Sequence, residues 1–101
     1  MIRKVRWAGL LLLLVPIWPK ATIAAQLYVT WTDNSYNEAG FQIERKPETD
    51  DTFTPIVTVG QNITTYVDTA VESGITYCYQ VSAFNADGIS TPSNIACSQA
   101  Q

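Results

Sequence analysis

The chain has 101 residues, a formal net charge of −3 and no histidine. That length accommodates one small domain, and the lack of histidine excludes Ser-His and Cys-His nucleophilic sites, the usual general base and the commonest metal ligand. There is no glycine-rich phosphate loop with its lysine, and the acidic balance argues against nucleic acid and anionic membrane surfaces as partners.

Met1 to Trp7 carries Arg3, Lys4 and Arg6 with no acidic residue, Ala8 to Trp18 is almost wholly apolar, and Ala21 to Ala25 is rich in small residues. This is the pattern of a secretory signal peptide over residues 1–25, cut after Ala24 or Ala25. The apolar run falls well short of the ~20 residues that a helix needs to span a bilayer, so a stable membrane anchor is the weaker alternative. No cysteine follows the cut, so a lipid-anchored form is not indicated. Loss of the leader removes Arg3, Lys4, Arg6 and Lys20, leaving residues 26–101 with two basic residues, Arg45 and Lys46, against nine acidic ones, a net of −7. The expected location is secreted or periplasmic.

Residues 26–101 read as short strands. Leu27, Val29 and Trp31 share one face of a first strand, and Asp33 to Gly40 form a loop of turn residues. Phe41 to Arg45 alternate again, with Phe41 and Ile43 inward and Arg45 at the margin, until Pro47 and the acidic run Glu48, Asp50, Asp51 end the strand. Pro55 to Val59 and Thr64 to Asp68 make two more strands, separated by a turn at Gly60 to Asn62. Gly74 to Asn85 is the central strand, with Tyr77, Tyr79, Val81 and Ala83 on one face and Cys78, Gln80, Ser82 and Phe84 on the other. Thr91 to Ser98 returns beside it. Short strands with frequent turn signals and no helical period predict an all-β antiparallel sandwich.

The two cysteines test the hairpin. Placing Cys78 opposite Cys97 pairs Asn85 with Ser90 and closes a loop of Ala86, Asp87, Gly88 and Ile89, a length hairpins commonly build around a type I turn. Opposed cysteines on one face lie within disulfide reach, and an oxidising compartment favours the bond over two free thiols or a lone metal pair.

In this order and spacing the residues resemble the fibronectin type III family over Leu27 to Ser98. The carrying features are Val29-Thr30-Trp31, Gly40-Phe41-Gln42-Ile43-Glu44-Arg45, Thr65-Tyr66-Val67-Asp68-Thr69 and the run Gly74 to Asn85. Trp31-Thr32-Asp33-Asn34-Ser35 and Ser93-Asn94-Ile95-Ala96 look like its bacterial branch. The resemblance implies an immunoglobulin-like sandwich, with Trp31 as the core tryptophan and Tyr77 as the tyrosine-corner residue, its hydroxyl meeting backbone near Val71 to Gly74. Family members begin with a strand A, whereas here strand B starts directly after the expected cut. A sandwich lacking strand A, with an unprotected edge that recruits another strand, follows. The alternatives are a truncated gene fragment, a misassigned start codon, or an edge left solvated.

Loops carry recognition in this architecture. Asp33, Asn34, Tyr36, Asn37 and Glu38, with Asn85 and Asp87, are expected at one end of the sandwich. Tyr36 is the candidate contact, against the alternative that it folds over the core rim. The Glu48, Asp50, Asp51 cluster lacks the register of a calcium loop and reads as a solvated turn, and Asn62-Ile63-Thr64 is a glycosylation sequon. The expected function is a non-catalytic binding or adhesion module that recognises a protein or glycan through these loops or the open sheet edge; the alternative is a spacer or remnant of a larger secreted protein. No catalytic residue, metal or cofactor is expected, and a strand-mediated homo-oligomer is the form an open edge would favour.

Overall fold

The computed structural model describes the backbone of Leu12–Pro16 and, in full, residues 25–101. The basic start of the leader and its small-residue run 21–24 lie outside the described residues. The elements are β1 (Leu12–Pro16), β2 (Leu27–Trp31), β3 (Gly40–Pro47), β4 (Thr54–Gly60), β5 (Thr65–Asp68), β6 (Thr76–Asn85), β7 (Gly88–Ile89) and β8 (Ala96–Gln99). One sheet has the order β1-β2-β5. The other has the order β4-β3-β6-β7, with β8 also pairing β6, and every pairing is antiparallel.

Period-2 alternation puts one face of each inner strand into a shared core. Leu27 and Val29 from β2, Phe41 and Ile43 from β3, and Tyr79, Val81 and Ala83 from β6 have no solvent exposure. Burying one large side chain of this kind contributes about 1.5–3 kcal/mol. Trp31 packs its ring against Phe41 at 5.7 Å between centroids. Where β3 begins, a Cβ on Gly40 would strike the backbone carbonyl of Val59 and press on the Phe84 ring, so glycine is needed for β3 to approach β4 this closely. Further along, the β3 to β4 register shifts between Ile43 and Glu44, where Glu44 meets Pro55. A proline without an N–H fits there, at a bulge on an edge strand.

Two sequence expectations are corrected. First, the sandwich of the uncut chain does not lack its first strand: Leu12–Pro16 lies antiparallel on β2, from Leu12 opposite Trp31 to Pro16 opposite Leu27. The apolar run that reads as the leader's core is equally suited to a sheet edge. Second, the loop after β6 is shorter than expected. Asn85 pairs with Gly88, leaving Ala86 and Asp87 as the turn. Gly88 takes φ 153°, a conformation other residues rarely adopt, and the Asn85 side chain accepts from the Asp87 N–H at 2.8 Å.

The return arm reaches the cysteines by sliding register. Around Pro92 it leaves the ladder, and two serines satisfy β6 instead. Ser90 and Ser93 each accept a β6 N–H on the hydroxyl, from Ala83 and Val81 respectively, and each donates its own N–H to the same residue's carbonyl. Asn94 is exposed on this irregular stretch. Cys78 and Cys97 come out directly opposed and bonded, with Sγ–Sγ 2.06 Å.

The disulfide spans a sequence separation of 19. On the chain-entropy account, replacing Cys78 and Cys97 by alanine lowers the unfolding free energy by about 3 kcal/mol, read from urea denaturation of the oxidised protein beside the double variant.

Candidate functional site

The loop between β2 and β3 and the turn after β6 meet at one end of the sandwich. The Asn85 amide donates to the Asn37 carbonyl at 3.1 Å, and the Ala39 N–H donates to the Phe84 carbonyl at 2.7 Å. Inside the first loop the Ser35 N–H donates to Asp33 Oδ1 at 3.1 Å, and the Ser35 hydroxyl lies 3.0 Å from Asp33 Oδ1 and 2.9 Å from Glu38 Oε1. Its single proton therefore serves one of two carboxylates at a time.

These bonds sort the candidate residues. Glu38 is buried at 5% exposure and turned towards Ser35, so it is removed from the accessible set. The Asn85 side chain is occupied at both ends, by Asn37 and by the Asp87 N–H, and acts as the latch between the loops. Asp33, Asn34 and Asn37 are half-buried, whereas Asp87 is exposed and Tyr36 stands 65% exposed at the tip. Trp31 lies beneath this end at 4% exposure, its Nε1 buried with no hydrogen-bond partner among the described residues.

The opposite end is built for fastening. The Tyr77 hydroxyl accepts the Glu72 N–H at 3.0 Å, tying the corner before β6 to the strand itself. Lys46 Nζ caps the turn of Glu48, Asp50 and Asp51 through the carbonyls of Glu48 and Asp50, at 3.3 and 2.8 Å, and all three acids are exposed. Two open depressions at this end, of about 250 and 180 Å³, are lined by Ser73, Gly74 and Gln99 and by Pro47, Glu48 and Thr76 among others. Neither brings two carboxylate side chains together.

Sequence reasoning missed the buried cluster beside Tyr77. Asp68, at the end of β5, has no solvent exposure. Its Oδ2 accepts from Arg45 at 2.8 Å and from the Tyr79 hydroxyl at 2.6 Å, and its Oδ1 accepts from the Ala70 N–H at 3.0 Å. Arg45 also lies over the Tyr77 ring, 5.6 Å from its centroid. The available signal was parity, since Arg45, Asp68 and Tyr79 each carry a polar group on the inward face of a strand. Burial pulls the Arg45 guanidinium downward, but the hydrogen bond and charge of Asp68 outweigh it and the net shift is upward. Burial, then donation to Asp68 and its negative charge, push the Tyr79 phenol well above its ordinary value of 10.0.

No protein-family profile matches the chain. Its structure superimposes on a fibronectin type III domain of human contactin 1 with a TM-score of 0.75, at 14% identity over 98% of this chain and 82% of that one. An Fn3-like protein from Clostridium thermocellum matches with a TM-score of 0.62, at 25% identity over 73% of this chain and 82% of that one. The fold is that of a fibronectin type III domain. In sequence, the domain is 31% identical over 74 residues to an amylopullulanase of Thermoanaerobacterium thermosulfurigenes. That match takes in 73% of this chain and only 4% of the length of the curated relative.

Two outcomes follow from the buried cluster. Arg45→Met leaves the Asp68 charge without its partner and lowers the unfolding free energy by on the order of 3 kcal/mol in urea. For Tyr79 the sign with pH is set by its raised pKa. Below the ordinary phenol value both folded and unfolded chains hold the proton, and above it the unfolded chain releases its proton first, so stability falls as pH rises from about 10 towards the folded pKa. Tyr79→Phe starts less stable, but its denaturation midpoint declines less steeply over that range.

Proposed function

We propose that this domain is a non-catalytic recognition module acting outside the cytoplasm, exported by the leader in residues 1–25, and that it contacts a neutral glycan through the Tyr36 loop end. The observation that carries this reading is the 65% exposure of Tyr36 on a loop latched by Asn85. An exposed aromatic face on a latched loop can stack on a sugar ring, and Asp33, Asn34 and Asp87 bring carboxylate and amide groups for sugar hydroxyls. A net of −7 over residues 26–101 disfavours anionic ligands. The Cys78–Cys97 bond supports an oxidising compartment. The likeness to a small part of an amylopullulanase supports the role of an accessory module, and the name of that relative makes pullulan the first polysaccharide to test.

In affinity electrophoresis through gels containing pullulan, the wild-type protein is retarded and Tyr36→Ala migrates as in the polymer-free gel, while both unfold at the same temperature. Equal migration of the wild-type protein with and without pullulan and soluble starch rejects the α-glucan reading and favours a spacer.

A further inference from the structure

The strand that completes the β2 edge comes from the segment that reads as a leader. β1 runs antiparallel to β2 over its whole length, and the other edge of β2 is taken by β5. A chain cut after Ala24 or Ala25 therefore keeps β2 to β8 and loses β1 alone. The burial of Leu27, Val29 and Trp31, at 0%, 0% and 4% exposure, is that of the uncut chain. β1 also lies against β8, so its departure opens the flank between the two sheets as well as a row of unpaired β2 backbone groups.

We infer that the exported domain is an acceptor for an extended, uncharged, apolar segment of a partner protein, which adds antiparallel to β2 in the place of β1. The chemistry of the occupant is read from the segment seated there in the uncut chain, Leu-Leu-Leu-Val-Pro, which carries neither charge nor a polar side chain. Strand addition of this kind draws affinity from main-chain hydrogen bonds and specificity from alternate side chains. A second copy suits the edge less well, because it brings a net of −7 against −7. The inference rests on the reading of residues 1–25 as a cleaved leader.

The test uses the full chain, expressed with its leader in a secreting bacterial host. Intact mass and light scattering are read on the exported protein, followed by thermal unfolding with a synthetic peptide spanning Leu10 to Trp18 and carrying a lysine tail for solubility. A control peptide holds Leu13→Pro and Leu14→Pro, which remove one N–H of each parity. The expected result is a mass beginning at Ala25 or Gln26, a monomer, and a Tm raised by on the order of 5 °C at saturating peptide, with no rise from the control. A cut protein, monomeric or dimeric, whose Tm the peptide does not move overturns the inference and leaves the leader reading standing, as does an equal rise with the control. An uncut mass overturns both.

Discussion

A carboxylate with no access to water sits between the two sheets, and much of the architecture answers it. Asp68 is carried by β5 in one sheet, and its charged and phenolic partners, Arg45 and Tyr79, come from the other. Those two residues are directly opposed in the β3 to β6 register, so their side chains aim from one face at a single point across the sandwich. Asp68 in turn is opposed to Leu27 in the β2 to β5 register. A slip of one residue in either pairing would turn a charge outward and leave its partner buried alone. A buried ion pair adds little net stability over a well-packed apolar substitute, but here it penalises the wrong registers. It also occupies Arg45, while Lys46 is committed to the acidic turn, so among the described residues the loop end presents neutral and acidic groups.

The sequence shows the strands and the disulfide because both follow from local rules. Alternation marks which face of β2, β3 and β6 is buried, and the arm after β6 must bring Cys97 back to Cys78 whatever the turn does. The turn itself is not legible, because serine hydroxyls can stand in for a ladder and nothing in a parity count signals that Ser90 and Ser93 do so around Pro92. Tyr36 is legible as an aromatic among turn residues. Glu38 is not, because it lies in a loop, where strand parity gives no sign of burial. The Asp68 cluster is less legible because Arg45 sits near the margin of its strand, although its parity is inward and both Asp68 and Tyr79 need a partner there.

β1 was illegible for a different reason. A leader's apolar core and a strand shielding a sheet edge answer the same demand, removal of hydrocarbon from water, and Leu-Leu-Leu-Val satisfies either. Composition shows that shared demand alone; the backbone adds which strand the run pairs with in the uncut chain.

The fastenings of the fold are distributed so that the two roles need not conflict. The disulfide joins β6 to β8, the Asp68 cluster ties β5 to β3 and β6, and the tyrosine corner secures the approach to β6. None of them involves β1. Strand β2 is held from its other side by β5, and its buried residues share the core with Phe41, Tyr79 and Val81. The covalent and ionic constraints that set the register of the sandwich therefore persist when β1 is gone, and what β1 contributes is backbone pairing and cover along one flank. A first strand outside the disulfide, the Asp68 cluster and the tyrosine corner is replaceable in a way that β3 or β6 is not, because any extended apolar chain of the right length offers the same pairing and cover.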